Sequence, residues 1–521
     1  MNALNIRRVM IAIVRTPSDL RSLRPLMRLT AATAAFGLAA CTAFGPDRNP
    51  PRMRSPEHYS VDALPTQLPG ADGIAQKVAG GLPPMPDWWR AYQSDQLNEL
   101  VEEGLENSPS LAAAQSTLKA AREQLRSKIG NSVFPSIDFG FSPERQRALG
   151  IAVPPNIPIP PLPPTFLYDA FVADVRASYT FDFFGAAFLA NRALASQIRQ
   201  QAFQLEATRR GLATNIVTAT INAAALQEQV ASTERLVALG EDRARQTAAR
   251  YKLGNASREE MLTAEQDAAN AAATLPALRQ QALAVRHAQA VLLGRTPDRA
   301  PTPLSLDALH LPETVPISVA SDLLHQRPDI LAAEAAVQTT ADETGAATAA
   351  LFPSLTLTAT YGQGGFDWST FTSPAGKIWS VGASLTQPFF HGGALLARKR
   401  QYRAAYEAAV SEYKQTVLSA FRNVADALVA LEEDANTLKQ AQRAEVAARD
   451  TKSNTESRYK LGATPFYATL TAGQQYEAAH TQYIRARASR LADTAALFDS
   501  MGDPPIQLQG STLTWGGSAH H

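Results

Sequence analysis

The chain lacks any run of about 18 consecutive apolar residues, so no ordinary transmembrane helix is available to it. Any part that crosses a bilayer must cross as strands. A single cysteine, Cys41, excludes an intrachain disulfide. Charge of either sign is not in excess: 49 basic and 48 acidic residues nearly cancel over 521 positions. That balance argues against nucleic acid as the main partner, which favours a strongly basic surface. There is no His-Glu-x-x-His, no paired cysteine and no glycine-rich phosphate loop, since Gly376-Lys377 is followed by Ile378. The histidines are scattered, and the adjacent pair His520 and His521 ends the chain. Neither an enzyme nor a metal or organic cofactor is expected.

The setting of Cys41 is informative. Arg21, Arg24 and Arg28 precede a small apolar stretch, Leu29 to Ala40, which ends Leu38-Ala39-Ala40-Cys41. A positive segment, a short apolar core and small residues before a cut site describe a secretory signal, here residues 1–40. The ending resembles the lipobox of bacterial lipoproteins, in which the cysteine is lipidated and becomes the mature N-terminus. Lipid on Cys41 is then the only non-protein group expected. Thr42 follows, where Asp would favour inner-membrane retention. Met27 would give a signal of conventional length, so residues 1–26 read as a mis-assigned start or a long n-region.

Residues 41–87 are rich in proline and polar residues and read as an extended strap, and residues 503–521 as a flexible tail. Between them the chain nearly repeats itself, residues 88–310 against 311–502. Arg250-Tyr251-Lys252-Leu253-Gly254 recurs as Arg458-Tyr459-Lys460-Leu461-Gly462, 208 positions on. Phe134-Pro135-Ser136-Ile137 recurs as Phe352-Pro353-Ser354-Leu355, and Thr180 with Phe183-Phe184 as Thr386 with Phe389-Phe390. These two offsets are 218 and 206, which places an insertion in the first half, where the proline-rich run 153–164 sits.

Each half contains two stretches of period-two alternation, near 135–183 and near 353–389. From Phe171 to Phe183 the odd positions are apolar and the even ones include Asp174, Arg176, Ser178, Thr180 and Asp182. A soluble, half-buried sheet gives the same pattern. The lipoprotein signal favours a membrane, and there an open sheet edge is forbidden. Four strands cannot close a barrel, so the chain must then be an oligomer, and three chains giving twelve strands is a natural solution.

Proline is absent from Ala186 to Tyr251 and from Leu395 to Tyr459, and glycine is nearly so. At about 1.5 Å per residue each stretch makes a helix on the order of 100 Å long. Tyr402, Tyr406, Ala409, Tyr413, Val417, Ala420, Val424, Leu428 and Leu431 trace a near-heptad seam. Tight turns at Gly254 and Gly462 would return these helices as antiparallel coiled-coil hairpins. A coiled-coil periplasmic lipoprotein with a structural role accounts for the helices alone, but not for strand pairs placed between them.

Ser321 to Glu334 (with His325-Gln326-Arg327-Pro328-Asp329), then Leu351-Phe352-Pro353, closely resemble the signature of the outer-membrane factor family, of the NodT and OprM lipoprotein type. Asp87-Trp88-Trp89, Leu292-Leu293-Gly294 with Pro297, and Gln387-Pro388-Phe389-Phe390-His391-Gly392-Gly393 are similar to its other motifs. The resemblance covers Trp88 to Gly502. It implies an α+β membrane protein with duplicated halves: a homotrimer whose twelve strands form an outer-membrane β-barrel above a periplasmic α-helical tunnel. It implies passive export of small toxic compounds, delivered by a periplasmic adaptor and an inner-membrane, proton-driven transporter. A duct for polypeptides, served by an ATP-driven transporter, is the alternative within the same class, and the lipobox favours efflux. By resemblance Asp174, Arg176 and Asp182 line the barrel lumen, with the insertion 153–164 in an external loop. The hairpin ends carrying Arg250, Tyr251, Gly254, Arg258, Glu260, Arg458, Tyr459 and Gly462 dock the adaptor and gate the tunnel. Arg258, Glu259 and Glu260 are expected in salt bridges between neighbouring helices at that gate. Ala468 and Thr471 replace lumen-facing acids of some relatives, which leaves gating to Tyr459 packing and hydrogen bonds.

Overall fold

The computed structural model describes residues 44–56, 59, 68, 76–82, 85–149, 165–317 and 320–502. Cys41 with the expected signal, the insertion 153–164 and the tail 503–521 lie outside the described residues. In chain order the elements are β1 (Lys77–Gly80), α1 (Asp95–Asn107), α2 (Pro109–Val133), β2 (Ser136–Leu149), β3 (Thr165–Phe181), α3 (Ala186–Lys252) and α4 (Arg258–Leu292). The second half follows with β4 (Thr314–Ile317), α5 (Ala320–Gln326), α6 (Pro328–Ala349), β5 (Ser354–Gly365), α7 (Trp368–Thr372), β6 (Lys377–Thr386), α8 (Ala394–Lys460) and α9 (Phe466–Ser500). No described helix is long and apolar enough to cross a membrane.

The duplication is strictest in the long helices. α3 and α8 each have 67 residues, α4 and α9 each have 35, and each pair begins and ends 208 positions apart. The compact units do not follow the repeats. One comprises Met1–Asn49, Arg122–Ser196 and Val337–Ala409; the other comprises Pro50–Ala121, Gln197–Ala336 and Val410–His521. Each unit is built from both halves of the chain.

The first unit holds an antiparallel sheet of order β2-β3-β5-β6. The second holds a core in which Trp88 stacks on Phe498 with ring centroids 5.6 Å apart, and the Tyr92 hydroxyl donates to the Leu491 carbonyl at 2.7 Å. Ile216, Val217 and Ile221 of α3 complete it with Leu97, Val101 and Leu293. Part of the expected strap is a strand: β1 pairs in parallel with β4. Beside β1, the buried Gln76 accepts from the fully buried Arg490 guanidinium at 3.0 and 3.2 Å.

The repeated motifs have a shared packing role in this unit. Gly294 (φ +73°) follows α4 and lies against the Asn107 carbonyl, where an added Cβ would come within 2.5 Å of the oxygen. Gly502 (φ +82°) does the same against the Gln326 carbonyl, at 2.6 Å. Only glycine suits both the left-handed conformation and the close approach. In the second half Arg327 completes the joint. It donates to the Ser500 carbonyl at 2.9 Å and forms a fork to Asp329 at 3.0 and 2.7 Å, so that Arg-Pro-Asp closes one helix end and starts another.

Candidate functional site

The sheet sorts its side chains onto two faces without exception over its central rows. Opposite one another across β2, β3, β5 and β6 stand Phe139, Val175, Tyr361 and Trp379, and then Ile137, Ala177, Ala359 and Val381. The other face carries Asp138, Arg176, Thr360 and Ser380, then Ser136, Ser178, Thr358 and Gly382. In a soluble half-buried sheet the apolar face packs on a second layer. Here it is bare: Phe139 is 74% exposed, Trp379 71% and Val381 77%. Burying such a surface takes a medium that is itself apolar, and the strands of 14, 17, 12 and 10 residues are long enough for a tilted bilayer crossing. Among the described residues β2 and β6 each pair on one side only, so two edges remain for other chains.

Two hairpin tips close the long helices. At the first, the Asn255 N–H donates to the Arg250 carbonyl and the Gly254 N–H to the Tyr251 carbonyl, with Gly254 at φ +73°. At the second, Ala463 and Gly462 repeat both bonds to Arg458 and Tyr459, with Gly462 at φ +72°. This is the Schellman ending of a helix, made twice. Leu253 and Leu461, adjacent to the glycines, are 76% and 83% exposed. The Arg250 guanidinium donates to the Asn255 carbonyl at 3.0 Å and lies 5.2 Å from the Tyr467 ring centroid, so it ties the first tip to α9. The Tyr459 ring packs on Phe466 at 5.3 Å. Farther along the same helices, the buried Glu477 of α9 accepts from Ser232 at 2.7 Å and from Arg235 at 3.0 Å on α3. Burial, then the hydrogen bond and charge of Asp493, push the Asp434 carboxyl up to about 7.

A third feature lies just after Cys41. The Phe44 ring packs on Phe352 at 5.0 Å and on Phe184 at 6.5 Å, beside the end of β3 and the start of β5. Gly45 lies against the backbone of Ala341 and Gly345 on α6. Arg48 pairs with the buried Asp342 at 3.0 Å, and Asp342 also binds Arg192 at 2.6 Å.

Residues 100–295 and 319–503 match the family described as outer membrane efflux protein. The chain belongs to that family. It is 28% identical to the pyoverdine export outer membrane protein OpmQ of Pseudomonas putida, over 86% of this chain and 96% of that one. It is 27% identical to the toluene efflux pump outer membrane protein TtgC of P. putida, over 91% and 95%. The outer-membrane channel OprN has the same fold, with a TM-score of 0.73 at 24% identity over 88% of this chain and 99% of that one. The chain is therefore an outer-membrane channel protein and not an enzyme, and its family works without a cofactor. Its open-edged sheet closes in a trimer, three sets of four strands making a twelve-stranded barrel.

Within this efflux protein three expectations need correction. Asp182 lies beyond the end of β3, and its carboxylate accepts the Phe188 N–H at 2.7 Å, so it caps α3. Among the described residues Glu260 makes no salt bridge between helices: it caps its own helix in a reciprocal box with Ser257, at 3.0 and 3.2 Å. Phe183 and Phe389 stand outside the strands, at 57% and 99% exposure. Arg258 begins α4, and Asp174 and Arg176 face each other on the polar side of β3 at 3.1 Å. Sequence reading overlooked Asp138, directly across from Arg176, and the two exposed tip leucines. The leucines carried a signal: the same residue recurs beside both turn glycines, where no core needs it. It also overlooked α7, which is capped by Asp367. Hydrogen bonds from Ser369, then from Thr370, hold that carboxyl down at about 2.

Proposed function

We propose that this protein is the outer-membrane exit duct of a tripartite efflux pump that expels small toxic compounds. A bare apolar face opposite a polar one, on a sheet with two open edges, carries the reading: one face meets lipid and the other a water-filled pore. Relatives named for export of pyoverdine and toluene support small compounds over polypeptides as cargo. With no nucleotide-binding motif in the chain, the energy comes from an inner-membrane transporter, proton-driven, joined through a periplasmic adaptor. The hairpin tips dock that adaptor. Arg250, Tyr251, Arg458 and Tyr459, turned by Gly254 and Gly462, form their surface with Leu253 and Leu461. The Arg250–Tyr467 and Glu477–Ser232 contacts hold one hairpin to the other, and opening the gate breaks them.

Cys41 carries the lipid. Phe44 is seated at one end of the sheet, and the three intervening steps reach no more than about 11 Å. That keeps an acyl chain on Cys41 beside the bilayer the strands span.

The test is a deletion strain challenged with chemically diverse antibiotics, dyes, detergents and aromatic acids. Sensitisation restored by the intact gene is expected. An unchanged profile together with a polypeptide missing from the medium would establish the secretion duct instead. Complementation with Cys41→Ser should yield protein without lipid and with reduced outer-membrane recovery. Lipid incorporation equal to the parent would remove the anchor assignment.

A further inference from the structure

The apolar face of the sheet is not smooth. Its row Ile137–Ala177–Ala359–Val381 has small side chains at the centre, and the next row, Phe139–Val175–Tyr361–Trp379, has larger ones. The step leaves a groove of about 520 Å3, lined by Val175, Ala177, Ala359, Tyr361, Trp379 and Lys377 among others. Lys377 is the one charge on this side of β6, where Trp379, Val381, Ala383 and Leu385 follow it. Its ammonium lies 5.2 Å from the Tyr361 ring centroid, and among the described residues no carboxylate pairs with it. The ring covers one side of the ammonium only, and a lysine has three N–H donors to place.

A second feature fixes the level of Lys377 along the strands. Its row is Phe141–Ala173–Gln363–Lys377. Beside that row α7 packs Phe371 on Phe141 and on Phe171 at 6.1 Å, and Trp368 on Phe171 at 5.6 Å. Aromatic side chains collect where hydrocarbon gives way to headgroups. Beyond this rim the same side of β2 carries Arg145 and Arg147. Arg145 pairs with Asp169 at 3.6 Å, and Arg147 donates to the Thr165 hydroxyl at 3.2 Å. When the barrel closes, β6 of one chain meets β2 of the next, so these arginines stand on the strand that adjoins Lys377. The chain enters β5 from α6 at Ser354 and leaves β6 for α8 after Thr386, so the helices join the sheet at the end away from Lys377.

We propose that this groove binds a phosphate-bearing lipid of the outer leaflet, with an acyl chain along Ala177 and Ala359 and a phosphate on Lys377. It rests on reading the apolar face as lipid-facing and the helices as periplasmic. A lysine on such a face is costly in hydrocarbon and stretches its ammonium to the interface. The anionic groups of lipid headgroups meet it there. A neutral headgroup would give the ammonium no counter-charge, whereas a phosphate takes the donors that the Tyr361 ring leaves open. Arg145 and Arg147 across the seam add to the same field.

Native mass spectrometry of the purified, delipidated trimer gives the test, with bisphosphorylated lipid A as the probe and phosphatidylcholine as the neutral comparison. The bisphosphorylated lipid is expected to saturate at one per chain and to outlast phosphatidylcholine. Lys377→Gln should weaken its retention by about fivefold. Ala359→Leu keeps the charge but fills the groove, and should weaken retention as well. Both positions are exposed, so recovery of trimer reports folding. Equal retention of the two lipids, or binding that Lys377→Gln leaves unchanged, overturns the site while leaving the channel. Ala375→Cys, between β5 and β6, checks the orientation: an impermeant maleimide should label it on intact cells. Labelling only after the outer membrane is permeabilised would put this end in the periplasm, and would overturn the reading of the helices together with the site.

Discussion

Gly362→Val is expected to abolish assembly of the barrel. A Cβ at this position would stand 2.1 Å from the Ala173 carbonyl oxygen and 2.6 Å from the Asp174 Cα. The obstructing atoms are backbone, so no rotamer change relieves the clash, and β3 and β5 must separate at the centre of their ladder. Overpacking where neighbours can adjust costs about 1–3 kcal/mol. Here the neighbours are fixed and the defect recurs in every copy of the trimer. The variant should be made and exported, yet fail to give the heat-labile, detergent-resistant trimer of the parent. Thr360→Val, two residues away on the same face, adds no atoms and strips a hydroxyl, so its trimer should survive. Equal trimer yield from both variants would show that the β3–β5 ladder tolerates the side chain.

Asp342→Ala should be the most damaging single change near the strap. The carboxylate is 1% exposed and binds Arg48 at 3.0 Å and Arg192 at 2.6 Å. Removing one member of a buried ion pair costs about 3–5 kcal/mol, because the remaining charge is left uncompensated. Both arginines keep about a third of their side-chain surface in water, at 33% and 29% exposure, which puts the effect toward the lower end. Arg48→Ala leaves Arg192 on Asp342, and should cost about 1 kcal/mol or less. Thermal unfolding of the two single variants and the double variant measures the coupling. If Asp342→Ala melts no earlier than Arg48→Ala, Asp342 is not the hub that holds the strap.

The correction at Asp182 has a physical cause. Alternation assigns a residue to a face only while the strand continues, and β3 ends at Phe181. One residue farther on, the same carboxylate satisfies an unpaired N–H at the start of α3. Glu260 stands three residues after Ser257, the spacing of a capping box, so its local role is written in the sequence.

The sequence by itself determined the duplication, the proline-free helices, the glycine turns and the alternation of the strands. These are local properties: helix continuity, a left-handed turn residue and a period of two are each written within a few neighbouring residues. That β3 pairs with β5, that Phe44 packs on Phe352 and that Arg48 pairs with Asp342 of α6 depend on residues more than a hundred positions apart. So does the emptiness in front of the apolar face. A period of two shows that one side of a strand is apolar, but only the tertiary structure shows that none of the described residues covers it. That uncovered face separates a membrane barrel from a soluble sheet with the same alternation.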